Sequence, residues 1–113
     1  MNAMLRGENA AVLQRMQDHG DDLSRIRPVE FTAVFVDRQA ASAFAQRASD
    51  QGYVTELEET GTTPAKPWDV IATRQFSPSV EEITNAEVHL GALAEELGGT
   101  LDGWCCQELT RRS

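Results

Sequence analysis

Cysteine is nearly absent: 113 residues hold two, and they are neighbours, Cys105 and Cys106. Consecutive strand residues point to opposite faces, so a bond between these two would distort the peptide joining them, and no internal disulfide is expected. Histidine is equally scarce, with His19 and His89 far apart, and there is no C-x-x-C. The imidazole and thiolate clusters that metal sites use are therefore missing, and no cofactor is expected. A cysteine nucleophile would lack its activating base, and nearby acids would raise its pKa. No glycine-rich turn opens a helix, since Gly98-Gly99 precedes a strand, so the phosphate cradle is missing too. Nor is there a run of about 18 apolar residues, or an apolar core in the opening residues Met1 to Arg6. The expectation is a cytoplasmic protein with no membrane span and no catalytic residue.

Basic charge is missing from one half only. Residues 1–49 balance six acids against six arginines, whereas residues 50–108 carry twelve acids against Lys66 and Arg74. A net charge of -8 concentrated in this way repels phosphate backbones and favours a basic protein partner or simple solubility. RNA binding by a sheet needs exposed aromatics within a basic rim. Aromatics make up only 6% of the chain, Phe31 and Phe35 are better used in a core, and the rim is acidic. Direct nucleic-acid binding is not expected.

What remains is ordinary for a globular domain: 41% apolar and 25% charged residues, at a length that buries a core unaided. Leu5, Val12, Leu13 and Met16 outline a helix over residues 3–18, with Gly20 as its cap. Residues 29–36 alternate as a strand, with Val29, Phe31, Ala33 and Phe35 toward the core. Val34 and Val36 suggest that the far face is partly covered. Asp37 caps a helix carrying Ala40, Ala41, Phe44, Ala45 and Ala48 on one face, and Gly52 ends it.

Residues 53–60 read as an edge strand, where Glu56, Glu58 and Glu59 discourage pairing with another molecule. A proline-containing turn leads to a third strand over residues 68–76. Two capping boxes, Ser79 with Glu82 and Thr84 with Glu87, offer alternative starts to the next helix. Its stripe is Ile83, Ala86, Leu90, Leu93, Ala94 and Leu97. Gly98-Gly99 stops it, and a closing strand runs from Thr100 to about Glu108, leaving Arg111-Arg112-Ser113 as a frayed tail.

After the first helix the order is strand, helix, strand, strand, helix, strand. This predicts a ferredoxin-like α+β sandwich: a four-stranded antiparallel sheet with two helices on one face, preceded by an extra N-terminal helix. The first and third strands should be central, and the second and fourth at the edges. The corresponding division is residues 1–27 for the first helix and its connection, 28–108 for the domain and 109–113 for the tail.

Trp68-Asp69-Val70 opens the third strand, Ile83-Thr84, Glu87 and Leu90 mark the last helix, and Gly98-Gly99-Thr100-Leu101-Asp102-Gly103-Trp104 closes the domain. With Phe44, Ala48, Gly52 and Tyr53, these residues resemble the regulator of ribonuclease activity B family, also called ribonuclease E inhibitor B, over roughly residues 28–107. Asp102-Gly103-Trp104 is the most specific part. The chain departs from the family where Cys105-Cys106 follow the tryptophan, and in ending on Arg111-Arg112-Ser113 where better-known members end in a long acidic tail.

The resemblance implies a ferredoxin-like fold and a non-catalytic regulator that binds an endoribonuclease of the ribonuclease E type, modulating RNA turnover. The candidate partner-binding residues are Glu56, Glu58, Glu59, Trp68, Asp69, Asp102, Gly103 and Trp104. Two other readings compete with this one. A pocket near Trp68 and Trp104 would make a small-molecule-binding or enzymatic domain. Sheet faces packed together would make a homodimer and account for Val34 and Val36.

Overall fold

Alternating burial along residues 27–35 marks the strand about which the structure is assembled. A computed structural model describes residues 3–61, 63–107 and 109. Its elements are α1 (Ala3–Asp18), β1 (Arg27–Phe35), α2 (Arg38–Asp50), β2 (Val54–Glu59), β3 (Trp68–Phe76), α3 (Val80–Glu96) and β4 (Thr100–Cys106). The four strands form one antiparallel sheet in the order β2-β3-β1-β4. This is an α+β structure with β1 and β3 central and the acidic β2 and the Trp104 strand at the edges.

Residues opposite one another in a ladder share a face, so the register sorts the side chains. On one face Phe31 lies between Ala72 and Trp104, Ala33 between Val70 and Leu101, and Leu57 lies beside Val70. The helices α2 and α3 cover this face. Phe44 of α2 meets Phe35 with ring centroids 5.2 Å apart, and Tyr53 stands edge-on to Phe31 at 6.3 Å. Phe44, Ala41 and Ala48 are wholly buried, as are Ile83, Leu90 and Ala94 of α3. Both helical stripes thus face the sheet, as their spacing requires.

The local signals resolve as follows. Asp37 caps α2, its Oδ1 accepting the Ala40 N-H at 2.8 Å. Of the two capping boxes, the Ser79 one starts α3: Ser79 Oγ accepts the Glu82 N-H at 3.1 Å. Thr84 is one turn inside the helix and buried. β1 starts and ends earlier than its alternation suggests, so Val36 lies beyond the strand and is 57% exposed. Only Val34, 5% exposed, is covered on the far face. Glu108 and the tail residues Arg111, Arg112 and Ser113 lie outside the described residues.

The two glycines after α3 do different work. Gly98 has the positive φ, 82°, that ends the helix, whereas a Cβ on Gly99 would stand 2.4 Å from the Phe35 ring and 2.5 Å from the Val34 carbonyl oxygen. Gly99 is therefore a point of close approach between chain segments. Gly103 is the opposite case. A Cβ there would meet nothing within 4 Å, and its φ of 139° is what demands glycine. The ladder shifts there: Thr32 faces Gly103 and Ala33 faces Leu101, leaving Asp102 as the extra residue of a bulge. Strict alternation would send Leu101 and Trp104 to opposite faces. The bulge brings both to the helix side.

The connection from α1 to β1 is more than a polar turn. Arg27 and Asp21 form an ion pair at 2.9 Å in which each side chain is 1% exposed. The guanidinium also donates to the carbonyls of Asp22 (2.7 Å), Arg25 (3.2 Å) and Gln107 (3.2 Å), while Asp21 Oδ2 accepts the Leu109 N-H at 3.2 Å. This pair, together with the Asp22 N-H donating to the Leu109 carbonyl at 2.8 Å, ties the loop before β1 to the segment after β4.

Candidate functional site

The register divides the candidate residues between two faces. The face away from the helices has three rows across the sheet. Val54, Thr73, Glu30 and Cys105 form the first, Glu56, Ile71, Thr32 and Gly103 the second, and Glu58, Asp69, Val34 and Thr100 the third. Glu56, Glu58 and Asp69 are therefore together, and Glu30 joins them. Glu30 was missed because one acid in an otherwise apolar strand carries no signal until β2 and β3 are laid beside it.

Glu59 faces Trp68 on the helix side and so leaves the group. Trp68 is half-buried, with the Arg38 guanidinium 6.0 Å from its ring centre. Asp102 is exposed at the bulge, at the other edge of the sheet from β2. The open face carries four carboxylates, and no Lys, Arg or His occurs among its strand residues.

Two features of that face are unfavourable for the isolated chain. Glu58 and Asp69 are like charges directly opposite one another, an arrangement that destabilises a strand pair. Asp69 Oδ1 is buried without a hydrogen bond. Around these acids Val54 is 72% exposed and Ile71 is half-buried. The surface thus combines one exposed and one half-buried aliphatic side chain with four carboxylates.

Trp104 has a structural partner. Its Nε1-H donates to Asn9 Oδ1 at 2.9 Å, and Asn9 Nδ2 donates to Thr84 Oγ1 at 2.9 Å and to Glu87 Oε1 at 2.8 Å. One asparagine on α1 therefore joins α1, α3 and β4. The apolar stripe of α1 gave no sign of it, since Asn9 is the polar member of the buried face. Replacing Asn9 with Ala strands the indole N-H, and we expect a loss of about 2 kcal/mol, within the range for orphaned buried groups. Denaturant titration with Trp fluorescence measures it.

Burial pushes the Glu87 carboxyl above its ordinary pKa; the bond from Asn9 opposes the rise and nearby Glu8 adds to it. A carboxyl whose folded pKa is raised binds its proton more tightly in the folded state, so stability falls as pH rises through that titration. Gln at this position keeps an acceptor oxygen for Asn9 without the charge. Glu87→Gln should therefore melt higher than the parent at pH 7, with the difference fading below about pH 4, where the parent carboxyl is protonated as well. Thermal melts across this pH range show the trend.

The cysteines lie on opposite faces, Cys105 exposed beside Glu30 and Cys106 half-buried. Desolvation pushes both thiols up, reinforced at Cys105 by Glu30 and opposed at Cys106 by Arg27. Neither is activated as a nucleophile. Trp68 and Trp104 share the helix face but are separated by β1, so they do not converge. A cavity of about 150 Å³ lies instead at Gln51, Tyr53, Arg74, Glu82, Asn85 and His89, where Gln51 and His89 are hydrogen-bonded. A second, of about 180 Å³, lies beside Glu30 and Cys105. Among the described residues no helix is long and apolar enough to cross a membrane.

The structure is an α+β domain with one face of its sheet covered by helices and the other left open and acidic. Residues 6–106 match the family described as regulator of ribonuclease activity B, and the chain belongs to that family. The match begins within α1, well before residue 28, and so includes Asn9 and the Asp21–Arg27 pair. No curated protein matches the chain.

Proposed function

We propose that this chain is a non-catalytic regulator that binds an endoribonuclease of the ribonuclease E type and lowers its cleavage of RNA. Family membership across residues 6–106 carries the reading. Further support comes from the charge: four carboxylates on an open sheet disfavour RNA itself and favour a protein surface of opposite sign. The contact surface is drawn from Glu56, Glu58 and Asp69, with Gly103 on the same face and Asp102 at its β4 edge, whereas Glu59, Trp68 and Trp104 belong to the helix side. A ferredoxin-like arrangement with α1 as an addition is supported by the strand order β2-β3-β1-β4. Such a regulator acts where RNA is turned over, in the cytoplasm.

The test is a cleavage assay with a labelled RNA and a purified ribonuclease E type enzyme, titrated with the full chain. Saturable inhibition and co-elution of the two proteins are expected. Unchanged cleavage at a large molar excess of the chain, with no co-elution, sinks the proposal.

A further inference from the structure

We infer that the open face of the sheet docks a basic, extended protein segment in which arginine or lysine alternates with aliphatic residues. This deepens the proposed function and rests on it for the identity of the partner, but the chemistry comes from the face itself. An uncovered sheet presents side chains at every second residue, and an extended segment does the same, so the two match in period. Glu30, Glu56, Glu58 and Asp69 bring negative charge, and Val54 and Ile71 bring aliphatic surface between them.

The opposition of Glu58 to Asp69 is a like-charge pair that a guanidinium or ammonium group offsets, with charge-assisted hydrogen bonds to the exposed Glu58 carboxylate. A second copy of this chain would bring four more carboxylates to the same place, and RNA would bring phosphates. Both are disfavoured by sign. Acids retained at a cost to the isolated fold are the pattern expected where function trades against stability.

The full chain is titrated against a fluorescein-labelled decapeptide alternating arginine and valine, with anisotropy as the readout. Binding should weaken about tenfold or more in Glu30→Lys/Glu56→Lys/Glu58→Lys, and by several fold in Asp69→Asn. It should stay within about twofold in Glu8→Lys/Asp50→Lys/Glu95→Lys, which changes the net charge equally from the helix layer. All six lysine positions are exposed, and circular dichroism establishes that each variant is folded. Equal weakening by the two triple variants, failure of the parent to bind, or a parent dimer in light scattering that the open-face variant dissociates would each overturn the inference.

The ribonuclease assay separates this inference from the reading beneath it. If inhibition is lost in the helix-layer variant and kept in the open-face one, the face is wrong and the regulator stands. If the parent chain does not inhibit at all, the regulatory reading fails, and the peptide titration still decides the face.

Discussion

Replacing Arg27 with methionine should destabilise the chain by about 3–5 kcal/mol, the usual consequence of removing one member of a buried ion pair. Asp21 would remain 1% exposed with its counter-charge gone. The carbonyls of Asp22, Arg25 and Gln107 would lose their donor at the same time. The damage should reach both ends of the domain, because this pair ties the loop before β1 to the segment after β4. A second substitution separates charge from packing. Asp21→Leu added to Arg27→Met removes the stranded carboxylate, and much of the lost stability should return, since apolar replacement of a whole buried pair is often neutral. Urea denaturation of the two single variants and the double variant completes the cycle. Simple additivity of the two single losses would show that the pair is not coupled.

Gly99→Ala should cost about 3 kcal/mol, at the upper end of the range for overpacking. The added methyl would lie 2.4 Å from the Phe35 ring and 2.5 Å from the Val34 carbonyl oxygen. Phe35 is wholly buried against Phe44, and Val34 is backbone in the central strand, so neither can move aside cheaply. Gly98→Ala makes an informative comparison. It meets nothing within 4 Å and is strained only by its φ of 82°, so its loss should be nearer 1 kcal/mol. Thermal melts of the two variants would show that adjacent glycines are required for different reasons. A smaller loss at position 99 than at 98 would contradict the packing argument.

Much of the fold was legible. Helix spacing located α2 and α3, and Asp37 marked the start of α2 through the ordinary chemistry of caps. Strand alternation placed β1 and β3, and the most specific part of the family resemblance, Asp102-Gly103-Trp104, lies in β4. The choice between Ser79 and Thr84 as the start of α3 was not legible, because both have an acid three residues on. In the structure Ser79 caps the helix, and Thr84, one turn in, accepts a hydrogen bond from Asn9, far away in sequence. The candidate surface was legible only as a list of acids. Proximity along the chain put Glu59 with Glu56 and Glu58, whereas the pleat sends it to the other side.

The amino-acid sequence by itself determined the period and order of the main elements, the excess of acid in the second half and the family. Each of these depends on residues close together in the chain, whose spacing, capping and charge act locally. Only the tertiary structure decided which acids share a face, which glycine is a contact and which a bend, and where the Trp104 N-H finds its partner. These depend on register, on the one-residue bulge at Asp102 that turns Leu101 and Trp104 the same way, and on contacts such as Trp104 to Asn9 across 95 positions. A pattern along the chain carries the two-residue period of a strand, but the pairing of one strand with another is set only when both are in place.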